Sequence, residues 1–134
     1  MKVFISYTHD GKNYADKVKK DLRDQNIGIR IDKKCIGPGQ IGLKEIDDAL
    51  YHVDYVLGVI TKDYLTSIGG AEAYAKISEG LPKKDIRFIP LFFIPPKKVE
   101  SVIIPAIQGY IFSEDYEKGL HDLIKFRIYS PFIT

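Results

Sequence analysis

The sequence predicts an α/β domain with a doubly wound, five-stranded parallel sheet and helices on both faces. Three observations predict it. Short runs of β-formers alternate with amphipathic helical segments over the whole length, the order that yields a parallel sheet with right-handed crossovers. Tyr55 to Ile60 and Ile86 to Phe93 are unbroken apolar runs of the kind found in strands buried on both faces. The segments between are short and punctuated by glycine and proline. A chain of 134 residues can bury one proper core and not two, so residues 1–134 are expected to form a single domain.

Lys2 to Tyr7 reads as the first strand, and the polar turn Thr8-His9-Asp10-Gly11 follows, in which Asp10 can cap a helix. From Lys12 to Asn26, Tyr14, Ala15, Val18 and Leu22 keep to one helical face, and Gly28 supplies the stop. Ile27, Ile29 and Ile31 alternate with Gly28 and Arg30 as a second strand. Asp32 to Gln40, with Gly37, Pro38 and Gly39, then reads as a loop. Leu43, Ile46, Leu50 and Val53 recur at helical spacing, and Tyr55 to Ile60 is the central strand. Ser67 to Gly70 reads as a helix start, Ala71 to Glu79 as a short helix, and Ile86 to Phe93 as the fourth strand, closed by Pro95-Pro96. Gln108 to Phe112 is a weaker strand. Ser113 is expected to cap a last helix carrying Tyr116, Leu120, Leu123 and Ile124 on one stripe.

Composition narrows the function. An apolar fraction of 45% and a charged fraction of 28% are ordinary for a globular protein. Twenty basic and eighteen acidic residues give +2, and the lysines are scattered, so no surface that tracks nucleic-acid phosphates is expected. Cys35 is the only cysteine, which excludes an internal disulfide and suits a reducing compartment as an incidental loop thiol. His9, His52 and His121 sit on different elements without ligand spacing, so neither a metal nor a resident cofactor is expected. No apolar run approaches the roughly 20 residues that span a bilayer, and Met1-Lys2 leads straight into a strand, so a cytoplasmic location is expected.

In open α/β sheets a ligand sits beyond the carboxyl ends of the strands, where the strand order reverses, which for a flavodoxin-like order lies between the first and third strands. That singles out Ser6 to Asp10, the glycine-rich loop after the second strand, and Thr61 to Glu72. A loop of about nine residues at such a point exceeds the usual two to six and is more often functional.

Those segments also carry a resemblance. Val3-Phe4-Ile5-Ser6-Tyr7 looks like the first motif of Toll/interleukin-1 receptor (TIR) domains, and Asp32 to Ile41 with Gly37-Pro38-Gly39 looks like their flexible BB loop. Tyr55 to Thr61 followed by Lys62-Asp63-Tyr64-Leu65-Thr66-Ser67 is similar to the third strand and its serine-bearing exit, and Gln108 to Phe126 is similar to the last strand and helix of enzymatic members. The resemblance implies either an enzyme that breaks the nicotinamide–ribose bond of NAD, in the manner of prokaryotic antiviral signalling, or an adaptor that only assembles with other TIR domains. By position Glu72 matches the catalytic glutamate of the enzymes, and Ile68 stands where they carry a tryptophan. Ser6, Tyr7, Thr8, Ile41 and Ile68 are then the expected substrate-binding residues, Gly37, Pro38 and Gly39 an assembly loop, and NAD a substrate rather than a cofactor. Head-to-tail partners of the same family, and a fused or separate sensor or effector, are implied with it.

The chemistry asks for little. Nicotinamide leaves NAD neutral, so no acid is needed; what is needed is stabilisation of an oxocarbenium-like centre and a grip on the ribose hydroxyls. One carboxylate can do both. Glu72 is the first candidate and Glu79, two turns further along, the competitor. A phosphate-receiving regulator of similar architecture would require an acidic pair directly after the first strand, and Thr8-His9 stands there instead.

Overall fold

The computed structural model describes residues 2–25, 30–35, 53–66, 87–95 and 109–125. In chain order these form β1 (Lys2–Tyr7), a 3-10 turn (His9–Gly11), α1 (Lys12–Gln25), β2 (Arg30–Cys35), β3 (Tyr55–Ile60), α2 (Lys62–Thr66), β4 (Arg87–Phe92), β5 (Tyr110–Ile111) and α3 (Tyr116–Leu123). The five strands form one sheet in the order β2-β1-β3-β4-β5, and every pair is parallel.

Alternation along β1 divides its side chains between the two faces. Val3, Ile5 and Tyr7 join Leu57, Val59, Ile89 and Leu91 in a core that receives Ala15, Val18 and Leu22 from α1 and Leu120 and Leu123 from α3. Phe4, Val56, Ile60 and Phe92 are also buried, so both faces of the sheet are covered. All of β3 is buried as a result, which is why it contains no charged side chain. Burying one such aliphatic contributes about 1.5–3 kcal/mol. Helix propensities differ by less than about 1 kcal/mol per residue, so the apolar stripe decides where α1 lies. Tyr14 departs from that stripe: it is 43% exposed and stacks on Phe93 with ring centroids 4.3 Å apart. Phe93 stacks in turn on Phe112 at 5.0 Å, and Phe112 meets the edge of Tyr116. The Tyr116 hydroxyl donates to Asp21 at 2.6 Å, tying α3 to α1, while burial and then this carboxylate push the phenol above its ordinary range.

Three elements differ from the sequence expectation. β2 continues to Cys35, through residues expected as loop, in register from Lys2↔Arg30 to Tyr7↔Cys35. It is an edge strand, where lysines and aspartate are tolerated, so the ladder to β1 extends it beyond any apolar alternation. Cys35 therefore ends a strand, while Ile27 and Ile29 lie outside the described residues. Lys62–Thr66 forms a helix of five residues, too short to leave a periodic pattern. The last helix is capped by Asp115, which accepts from the Lys118 amide at 3.2 Å, and not by Ser113. The Ser113 amide still bonds the Phe92 carbonyl at 3.0 Å, so the chain has not yet left the sheet there. Of the expected helices, residues 43–52 and 71–79 lie outside the described residues, and Val53 is in no helix.

Proline in β4 has a local explanation. A strand residue points its N–H and C=O to the same side, and the Pro90 carbonyl faces Gly109, beyond the first β4–β5 pair at Leu91↔Tyr110. The missing donor thus falls where β5 has not begun. Gly109 is the counterpart, because a Cβ there would overlap the Pro90 carbonyl oxygen and lie 2.6 Å from its Cγ. Gly109→Ala should lower stability by about 1–3 kcal/mol, the usual cost of overpacking, since backbone must move to relieve the overlap. Urea unfolding of the two proteins measures it, and an unchanged midpoint would show that the strand ends move freely.

Candidate functional site

The switch point lies between β1 and β3, whose partners run off in opposite directions. Their carboxyl ends are joined by side chains. Thr8, directly after β1, donates its hydroxyl to Asp10 Oδ1 at 2.6 Å, and Thr61, directly after β3, donates to the same oxygen at 2.6 Å. Asp10 Oδ2 accepts the backbone N–H of Asp63, the second residue of α2, at 3.1 Å. Each threonine hydroxyl has one proton and both are spent on Oδ1. The 3.3 Å approach of the two hydroxyl oxygens is thus set by their shared acceptor. Gly11 makes the junction possible: a Cβ there would meet Val59 Cγ1 at 3.0 Å and Thr61 Cγ2 at 3.4 Å.

Asp10 is at the surface, but the hydroxyls it holds are not: Thr8 is 3% and Thr61 4% exposed. Partial burial pushes its carboxyl pKa up, and the bonds from Thr61, Thr8 and the Asp63 amide outweigh that and hold it below the ordinary value of 3.8. The sequence suggested that Asp10 caps a helix. It does, but the helix is α2, more than fifty residues away, and not the one it precedes.

A second tie lies on the opposite face of β1. Ser6 and its register partner Gly58 carry the smallest side chains of their two strands there, and the Tyr64 hydroxyl of α2 meets Ser6 Oγ at 3.0 Å. Burial pushes the Tyr64 phenol up to about 12, only partly offset by Ser6, so it stays protonated across ordinary pH.

Of the residues expected to bind substrate, the structure brings Ser6, Tyr7 and Thr8 to the carboxyl end of β1. The Ser6 hydroxyl engages Tyr64, Tyr7 packs in the core at 7% exposure, and Thr8 serves Asp10. Glu72, Ile41, Ile68, Gly37, Pro38, Gly39 and the competitor Glu79 lie outside the described residues. Reading the sequence alone missed the joint role of Asp10, Thr61 and Tyr64. The expected strand order already placed an aspartate after the first strand beside a threonine after the third, and that adjacency was the available clue. Among the described residues no three His, Cys, Asp or Glu side chains converge as a metal set, and no helix is long and apolar enough to cross a membrane.

A family model described as TIR domain matches residues 3–124. The chain belongs to the TIR domain family. The match takes in both strand ends and the Asp10 junction. Among solved structures, this TIR domain is similar to the TIR domains of the activated Roq1 resistosome, a complex that directly recognises the pathogen effector XopQ. The two share 18% identity with a TM-score of 0.73, over 94% of this chain and 98% of that one. At that identity the likeness speaks for the fold. No curated protein matches the chain.

The lowered Asp10 pKa sets the sign of a pH effect. A carboxyl whose folded pKa lies below its unfolded value adds stability that is fully present above the unfolded pKa and is lost as pH falls through the folded one. Asp10→Ala should therefore be destabilised most above the ordinary value of 3.8, and its gap from the parent should narrow below it. Urea midpoints of both proteins at about pH 7 and about pH 2.5 measure this, and a gap that widens in acid would contradict the assignment.

Proposed function

We propose that this TIR domain is an NAD+ nucleosidase that cleaves the nicotinamide–ribose bond, giving nicotinamide and ADP-ribose or a cyclic ADP-ribose isomer. The observation that carries this reading is the topology. The sheet reverses between β1 and β3, where Ser6, Thr8, Asp10 and Thr61 gather, and the chain runs on from that point to Glu72. Family membership supports it, since the matched stretch contains Glu72, which by sequence resemblance matches the glutamate of the enzymes.

In the proposed step the bond between C1′ and the pyridinium nitrogen breaks and its electron pair leaves with nicotinamide, which departs neutral. Glu72 accepts hydrogen bonds from the 2′ and 3′ hydroxyls and sets negative charge near the oxocarbenium-like C1′. Water then adds to C1′ and releases a proton, giving ADP-ribose; addition of a nucleophile from the same molecule gives the cyclic product. A single such electrostatic group is worth about 10²–10³ in rate. Ile68 contributes dispersion contact to the base but no π face, so affinity rests on the ribose and phosphates.

Assembly belongs to the same proposal. Head-to-tail contacts through Gly37-Pro38-Gly39, with Ile41 as an apolar contact, complete a cleft that is open at the sheet edge, and the biological setting is antiviral defence signalling in the cytoplasm. The glycines let the loop swing and the proline limits what must be frozen on docking.

Two measurements test the reading. Glu72→Gln should keep the fold and lower NAD turnover by at least about tenfold, while Glu79→Gln changes little. A Glu72→Gln protein that turns over NAD like its parent removes the catalytic assignment and leaves a TIR interaction module. Turnover per molecule should also rise with concentration across roughly a hundredfold dilution series, as expected when a single loop contact is far smaller than the roughly 1,200–2,000 Å² of a stable interface. Constant turnover from a monodisperse monomer would rule out assembly as the switch.

A further inference from the structure

α2 has five residues, well short of the roughly 12–15 that an isolated helix needs to persist in water, so its place must be fixed from outside. Side chains of β1 and the turn after it supply two ties. Tyr64 is pinned to Ser6 at 3.0 Å, and the first turn is held by Asp10 through the Asp63 amide and the Thr61 hydroxyl. From Thr66 the chain reaches Glu72 in six residues.

We infer that Asp10 is a positioning residue for the proposed NAD cleavage, fixing the exit of β3 and the start of α2 and so the point from which the chain departs toward Glu72. This rests on the nucleosidase reading above. Asp10 does not act on the substrate in this scheme. Its carboxylate accepts bonds from Thr8, Thr61 and Asp63, and two of these groups are buried hydroxyls that share it as their acceptor. Catalysis is sensitive to such anchoring, since a displacement of about 1 Å at a reacting group can cost on the order of 10² in rate. Binding of NAD, spread over its ribose and phosphates, is less sensitive.

The test is steady-state turnover of NAD by the full chain, compared per folded molecule and well below the unfolding temperature. Asp10→Ala should lower kcat by at least about tenfold with KM changed by less than about threefold. Asp10→Asn should recover part of kcat, because its carbonyl can take the Asp63 N–H and its amide can donate to the threonine oxygens, although the threonine protons lose their shared acceptor. Asp115→Ala, which removes a comparable cap from α3, should lower stability and leave kcat alone. If Asp10→Ala does not fold, Thr61→Val removes one of the Asp10 bonds and reads the same effect at smaller amplitude. An Asp10→Ala kcat within about twofold of the parent would overturn the inference, as would an equal loss in Asp115→Ala, which would mark a general effect of stability. An Asp10→Asn kcat no higher than that of Asp10→Ala would overturn positioning through these bonds. A parent chain that releases no nicotinamide overturns the nucleosidase reading and this inference together, and is told apart because every variant is then silent.

Discussion

A single carboxylate joins the two strand ends between which the sheet changes its direction of winding. Asp10 gathers Thr8 after β1, Thr61 after β3 and the Asp63 amide from α2, and Gly11 beside it leaves room for the turn, since a Cβ there would lie 3.0 Å from Val59 Cγ1. Without it the Thr8 and Thr61 hydroxyls, at 3% and 4% exposure and 3.3 Å apart, could at best donate one to the other, which leaves one proton without the acceptor it has here at a cost of about 1–3 kcal/mol. For a domain whose whole stability is of the order of 5–15 kcal/mol, that is a substantial share. The same groups fix the geometry of the region where a ligand of such a sheet is expected, so stability and function draw on one constraint.

The rest of the fold presents that junction rigidly. β1 pairs with β2 over its full length and with β3 from Val3↔Tyr55 to Ser6↔Gly58, and its core-facing residues meet the α1 stripe. At the far side, Phe93 and Phe112 stack between Tyr14 of α1 and Tyr116 of α3, and Tyr116 bonds Asp21. Lys17 lies over the Tyr116 ring at 3.9 Å, so the α1–α3 seam joins cation, aromatic and carboxylate in one contact. β1 and β3 are thereby held from both sides, and their ends have little freedom to part.

The elements that buried apolar surface were legible in the sequence, because burial writes a period. β1, α1, β3 and β4 fall where alternation, helical spacing or unbroken apolar runs placed them, within a residue at either end. What escaped was held by partners distant in sequence. β2 runs through Lys33 and Lys34 on the strength of a ladder that has no signature in its own residues. α2 is short and tied from β1, and the last helix is capped by Asp115 because Ser113 is still bonded to β4. The candidate site divides in the same way. Ser6, Tyr7 and Thr8 were legible as residues at a strand end, whereas the work of Asp10 depends on Thr61, which becomes its neighbour only through the strand order.

Family membership gives the chain its fold, and the nucleosidase reading proposed above seats the nucleotide at the β1–β3 junction. The most direct measurement is a titration of the isotopically labelled chain with NAD, followed by the shifts of its backbone amides. A ligand seated at the switch point should move the amides of Ser6 to Gly11 and Thr61 to Asp63 most, saturably, with the β4–β5 and α3 amides little changed. Shifts confined to α1 and α3, or none at NAD concentrations that saturate such enzymes, would contradict a nucleotide site between β1 and β3.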